Sequence, residues 1–246
     1  EMKPVALHEM LGENFFARVT AAQFNSLTKR YRNQDAAKDV SLDTLSDEQW
    51  QSYFGAFTPF PDSFKTPLAL CYHGHQFGIY NPEIGDGRGF LYAQLREDTT
   101  NRLLDLGTKG SGTTPFSRSG DGRLTLKGAV REILASEYLN ALSVNSCKIL
   151  SVFETEEQLH RNDEPAPTRA AVLVRLSHSH IRIGSFQRLA YLNQPQEILT
   201  LARYVARYYY PDIDPESPPE ALLLGLLEAL IICVAEMVAG WMAAGF

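Results

Sequence analysis

Between Tyr72 and Arg123 the chain interleaves two residue types that together bind phosphate. Glycines stand at Gly74, Gly78, Gly85, Gly87, Gly89, Gly107, Gly110, Gly112, Gly120 and Gly122, and among them sit Arg88, Lys109, Arg118, Asp121 and Arg123. Glycine lets a backbone turn sharply and come close to a ligand. Its exposed N–H groups then form concavities that favour anions. Arginine adds a planar fork that fits phosphate oxygens, and lysine adds a point charge. The stretch predicts a nucleotide or polyphosphate cradle. GDGR alone is more often a tight turn, and it is SGDGR following TKGSG that carries the nucleotide reading.

Two further cations could join the site. Arg175 closes the apolar run AAVLVRL and Arg182 follows seven residues on. In one continuous strand that odd spacing would put them on opposite faces. A shared ligand therefore requires a turn, for which Ser177-His178-Ser179-His180 is polar enough. Other chemistries find less support. His73 with His75 and His178 with His180 form two His-x-His pairs that could ligate a metal, but no Cys or acidic cluster accompanies them. Ser117 and Ser119 lack an evident base. A buried Arg175 could also serve only to pair a carboxylate.

The elements that must position these residues follow from periodicity. Residues 41–57 read as a helix with Ser46 as N-cap, broken by Pro59, Pro61 and Pro67. Residues 89–96 alternate as a strand, and residues 103–106 form a second strand ending at Gly107, just before Lys109. Residues 124–142 read as a helix with Leu126, Val130, Ile133, Leu134 and Ala141 on its apolar stripe. Asp121 or Gly122 would stand at its start, where the helix dipole favours anions. A strand over 148–153, a polar loop over 154–168 and a buried strand over 170–176 come next. Residues 194–210 read as a helix, and a loop with four prolines follows. Residues 220–246 then form an apolar helix about 40 Å long. Glu228 and Glu236 argue for a buried core helix over a membrane span.

The 246 residues carry a net charge of −6, with 44% hydrophobic and 21% charged residues, which is globular composition without a basic patch for nucleic acid. Three widely spaced cysteines, Cys71, Cys147 and Cys233, suggest neither a disulfide framework nor a metal motif and point to a reducing compartment. No signal-peptide pattern opens the chain. It starts on Glu1 and stops at Phe246 inside an apolar helical pattern, so a fragment of a longer protein is expected.

The stretches YHGHQFGIYNPEIGDGRGFL, TKGSGTTPFSRSGDGRLTLKGAVREILASEYLNAL and AAVLVRLSHSHIRIGSF resemble the SelO (selenoprotein O-like) family of protein adenylyltransferases. AGWMAAGF resembles the family's segment just before its catalytic motif, and FFARV in the lead-in is a weaker match. The resemblance implies an α+β, protein-kinase-like fold. Residues 1–65 would be a lead-in, residues 66–183 an N-lobe of sheet and helix holding the nucleotide, and residues 184–246 the beginning of a helical C-lobe. It implies transfer of AMP from ATP to Ser, Thr or Tyr hydroxyls of proteins, with Mg²⁺ and release of pyrophosphate. ATP and protein substrates are the implied partners, with no nucleic acid and no membrane. An ATP-binding pseudokinase scaffold and an ordinary γ-phosphate-transferring kinase are the alternatives.

By the same resemblance, Gly85, Gly87 and Arg88 belong to the nucleotide-contacting turn, and Lys109 is the phosphate-binding lysine. Asp121 with Gly122 is a second contacting pair, and Arg175 and Arg182 hold the ATP. The family reads close to LQLKGAG where this chain has LDLGTKGSG, so Gly107-Thr108 is expected to bend the strand that carries the lysine. Family spacing points to Glu132 as the lysine's partner, whereas helical periodicity alone points to Glu137. The family's catalytic segments, which resemble HGVMNTDNM and DYGPFG and supply the base and the metal ligands, do not occur here. No catalytic base or metal ligand is therefore assigned within residues 1–246, and the fragment is expected to be inactive and poorly soluble. The implied compartment is the cytoplasm if the source is bacterial and the mitochondrion if it is eukaryotic.

Overall fold

The computed structural model describes residues 2–245. Its strands are β1 (Pro4–Val5), β2 (Phe16–Arg18), β3 (Thr28–Arg32), β4 (Leu68–Leu70), β5 (Gly74–Gln76), β6 (Ile79–Asn81), β7 (Leu91–Arg96), β8 (Leu103–Lys109), β9 (Leu124–Thr125), β10 (Lys148–Leu159) and β11 (Thr168–Ser177). Its helices are α1 (Gln34–Lys38), α2 (Asp47–Phe54), α3 (Leu126–Ala141), α4 (Ile183–Tyr191), α5 (Pro195–Tyr209) and α6 (Pro219–Ala244). Among the described residues, nine strands form one antiparallel sheet in the order β2-β4-β7-β8-β11-β10-β3, with β1 added on β7 and β9 on β11. β5 and β6 form a separate hairpin. The class is α+β. The lead-in is woven into the sheet, to which it supplies β1, β2 and β3.

Both faces of the central strands are covered, which is why their sequences are apolar almost throughout. Leu150, Phe153, Val172 and Val174 pack with Trp50 and Phe54 of α2. Ile149, Val152, Ala171 and Leu173 pack beneath α3. A register shift between Ile149 and Ser151 lets β10 keep serving both faces. It also turns the Ser151 hydroxyl to accept a 2.9 Å hydrogen bond from the indole N–H of fully buried Trp50.

Several boundaries differ from expectation. Helix α2 begins only at Asp47, because Ser46 and Gln49 close a reciprocal capping box and residues 41–45 turn instead of coiling. Strand β8 does not end at Gly107. It runs on through Thr108 to Lys109, with Leu91 opposite Gly107 and a register shift before Ala93. Strand β10 continues to Leu159 through residues expected to form a loop, because Glu154 finds arginines on both flanking strands. Helix α4 was not expected at all.

Helix α3 buries only part of the stripe that periodicity suggests, Leu126 and Ile133, and adds residues from beside it. Ala129, Ser136 and Leu139 are buried, whereas Val130 and Leu134 are exposed. Small residues let the helix lie close on the sheet, Leu126 and Ile133 pack partly buried at that contact, and Val130 and Leu134 point away. Its N-cap is Thr125, which accepts from the Gly128 N–H at 3.1 Å, so Asp121 and Gly122 do not stand at the helix start.

Helix α6 corrects the expectation of a buried core helix. Only Leu222 and Leu226 are buried, packed on Ala202 and Ala206 of α5, while Leu224, Ile231, Ile232 and Met242 are more than half exposed. A helix apolar on every side needs neighbours on every side, and α5 covers one strip. Its length and composition would suffice to cross a membrane. Phe246, with which the expected helix ended, lies outside the described residues.

Candidate functional site

Strand β8 delivers Lys109 to the lip of the sheet, and α3 brings Glu132 to meet it in an ion pair. The two side chains are only 23% and 26% exposed. Glu137 points elsewhere and accepts from Tyr31 Oη at 2.8 Å and Asn33 Nδ2 at 3.0 Å at the β3 edge. Periodicity alone therefore picks the wrong carboxylate. The two glutamates are five residues apart and leave the helix on different sides.

The GDGRG turn is sewn to the end of β8. The Gly110 N–H donates to the Arg88 carbonyl at 2.7 Å, and the Phe90 N–H donates to Thr108 Oγ1 at 3.1 Å. Residues 110–123 then loop over the turn. The Ser117 hydroxyl donates to the Gly87 carbonyl at 2.5 Å, the Thr114 hydroxyl donates to the Asp86 carbonyl, and the Phe116 ring packs against Gly85. At the loop's neck the Gly112 N–H donates to the Gly122 carbonyl at 3.2 Å. Gly122 has φ 69°, and a Cβ there would overlap the Gly112 carbonyl carbon, so only glycine permits the crossing.

These pieces enclose a cleft of about 980 Å³, a volume in the range of small-molecule sites. Gly85, Gly87, Arg88, Lys109, Asp121, Gly122, Arg175 and Arg182 all line it, with Glu132 behind Lys109. Between Arg175 and Arg182 the chain leaves β11 and turns before α4, which brings both arginines to one cleft despite their odd spacing.

Sequence reasoning missed several lining residues: Asp86, Phe116, Arg161 and His180. Asp86 lay in plain view inside GDGR. Arg161 was hidden in a segment expected to be a loop.

Charge is unevenly satisfied around the cleft. Arg123 is held by Glu157 through two hydrogen bonds, of 2.8 and 3.1 Å, and Arg161 contacts Asp121 at 2.8 Å. Partial desolvation works against the Asp121 carboxylate, yet the Arg123 N–H and the Arg161 guanidinium hold its pKa below the usual carboxylate range. Burial pushes the Asp86 carboxyl up, against the pull of Arg182 and a hydrogen bond from the Leu70 N–H. Arg182 lies 4.9 Å from the Tyr72 ring, and Arg175 Nε donates to His180 Nε2 at 3.3 Å. Among the described residues Arg88, Arg118, Arg175 and Arg182 have no carboxylate partner. Cations that outnumber the cleft's two carboxylates, Asp86 and Asp121, and stand beside glycine backbone form a place for an anion.

His73 and His75 both stand edge-on to the Tyr80 ring. His73 Nδ1 meets Tyr80 Oη at 2.8 Å, while His178 lies edge-on to the Tyr209 ring. The three cysteines are free thiols.

Comparison with known proteins gives a consistent result. The family model described as "Protein adenylyltransferase SelO" matches residues 3–246. A protein named protein nucleotidyltransferase YdiU from Trichormus variabilis is 49% identical over 240 residues, which cover 97% of this chain and 48% of the relative. Its namesake from Synechocystis is 47% identical over 97% of this chain and 49% of the relative. Another from Vibrio vulnificus is 35% identical over 97% and 47%. The chain thus spans about half the length of the curated relatives it matches.

Proposed function

The chain belongs to the SelO family, and from that premise we propose that it forms the nucleotide-holding part of a protein adenylyltransferase. The observation that carries this reading is the convergence of Arg88, Arg175 and Arg182, none of them in a salt bridge among the described residues, with the Lys109–Glu132 pair on one glycine-lined cleft. Such a site suits a triphosphate, whose several negative charges need donors from several directions. The sheet with α3 across it and a strand-lysine to helix-glutamate pair fits a kinase-like N-lobe. On this reading residues 66–183 are that lobe, and α4 to α6 begin a helical one.

In the reaction, an acceptor hydroxyl oxygen of Ser, Thr or Tyr bonds to the α-phosphorus of ATP. The bond from that phosphorus to the bridging oxygen breaks, and pyrophosphate leaves. Lys109, oriented by Glu132, would neutralise charge on the phosphates, with Arg175 and Arg182 gripping the same chain of oxygens. The loop over residues 110–123 would shield the nucleotide from water on one side. Magnesium, when bound, would neutralise the triphosphate further and ease the departure of pyrophosphate. Among the described residues no group of three or more His, Cys, Asp or Glu could hold it. Residues 1–246 alone are accordingly expected to bind ATP without transferring AMP. The relatives described above are bacterial, and we place the reaction in the cytoplasm.

The decisive experiment supplies the full-length protein and an acceptor protein with ATP labelled at either the α- or the γ-phosphorus. Label from the α position on the acceptor is the expected outcome. Label from the γ position would make the protein an ordinary kinase, and ATP binding without label would make it a scaffold.

A further inference from the structure

His180 belongs to no catalytic or binding role assigned so far, yet it is among the most tightly held side chains of the cleft, 9% exposed. Its position depends on a missing side chain. Arg175 and Gly107 face each other across β11 and β8. A Cβ on Gly107 would overlap the imidazole, so the ring occupies the slot that a cross-strand partner of Arg175 would otherwise fill. Gly107 does not have a positive φ, so this glycine serves close approach and not backbone shape.

The backbone that carries the ring is fixed by Asp105, which is completely buried. Asp105 Oδ2 accepts from the His180 backbone N–H at 2.8 Å. Its other oxygen accepts from Gln94 Nε2 at 2.8 Å and from Tyr209 Oη at 3.1 Å. Sheet and α5 thus anchor the same carboxylate. Arg175 Nε has only a proton to give, so His180 Nε2 must carry the lone pair and the ring proton must reside on Nδ1. Ser177 Oγ lies 3.1 Å from that nitrogen. With Nε engaged, the two terminal guanidinium nitrogens of Arg175 have no partner among the described residues.

We infer that His180 is a positioning residue for the triphosphate: seated on Gly107 and anchored by Asp105, it holds Arg175 by Nε and leaves the guanidinium fork for phosphate oxygens. This rests on the reading of the cleft as an ATP site. A pre-set arginine loses less freedom on binding than a mobile one, so the gain appears as affinity.

A double-mutant cycle on the full-length protein tests it, with equilibrium ATP affinity as the readout. R175A and H180L are each expected to weaken ATP roughly tenfold, the scale of one hydrogen bond to a charged group. H180L is expected to add nothing in the R175A background, which is the mark of action through that residue. H180Q keeps an acceptor near the Nε2 position and is expected to recover to within about threefold of wild type. G107A, which unseats the ring without touching its chemistry, is expected to match H180L and supplies the cycle if H180L fails to fold. Additive losses for Arg175 and His180, or unchanged affinity in both H180L and G107A, would overturn the inference while leaving the ATP site standing. Unchanged affinity in R175A would overturn the assignment of Arg175 to the nucleotide, and the inference with it.

Discussion

Glu132 and Glu154 are both carboxylates gripped by cations from neighbouring elements, but they keep different company. Glu154, on β10, is 7% exposed and lies between Arg30 of β3, at 2.5 Å, and Arg169 of β11, also at 2.5 Å. Its two oxygens accept three hydrogen bonds from these arginines, and it lines none of the cleft. Glu132 has one cationic partner, Lys109, and that lysine faces the cleft. The first arrangement consumes its charges in joining three strands. The second leaves ammonium hydrogens over for a ligand. Ion pairing alone therefore does not mark a functional residue; what matters is how much hydrogen-bonding capacity the pair leaves unspent, and where.

The largest test of this contrast is K109A. In the full-length protein, on the adenylyltransferase reading, it should lower AMP transfer by roughly 10²-fold or more, the scale of removing a preorganised charge, with little change in melting temperature. A comparable loss of transfer in E154A would break the comparison. Next is E132Q, which keeps shape but not charge and should cost about tenfold in transfer. E137Q, on the same helix but bonded to Tyr31 and Asn33, should leave transfer unchanged. E154Q should do the reverse: its melting temperature should fall by about 2–4 °C, as about 1 kcal/mol does in a domain of this size, with ATP affinity intact. The discount to about 1 kcal/mol reflects the exposure of both arginines, 44% and 54%.

The smallest effect is in acid. Arg169 first, then Arg30, hold the Glu154 carboxyl down to about 2 from its usual 4.5. The stability this adds is fully present above pH 4.5 and drains away as pH falls toward 2. The gap in melting temperature between wild type and E154Q should narrow over that window, and a constant gap would show that the arginines act by packing instead of charge.

Legibility in the sequence tracked how local each signal was. The Ser46 cap, the alternation feeding β7 and the apolar run of β11 depend on near neighbours and could be read directly. So could Arg88, Lys109, Arg118 and Arg123, because they cluster in glycine-rich text, whereas Arg161 could not. What could not be read depends on partners remote in sequence. The polar stretch at the end of β10 is a strand only because Arg30 and Arg169 meet it from either side. The buried face of α3 is set by how closely a sheet can approach, which favours Ala129 over Val130. His180 is placed by an absent Cβ seventy-three residues earlier, a cue that hydrophobic periodicity does not carry. For α6, composition announced a need for cover but not where the cover would come from.

The crossing of Gly112 and Gly122 turns the intervening residues into a purse tied at the neck. Whatever happens at the far end of the purse, the drawstring holds the distance between β8 and β9 constant. Extra residues spliced beside Ser119 would therefore enlarge the purse without tugging on Lys109 or tilting α3, so one scaffold can trial flaps of many lengths above the same cationic floor.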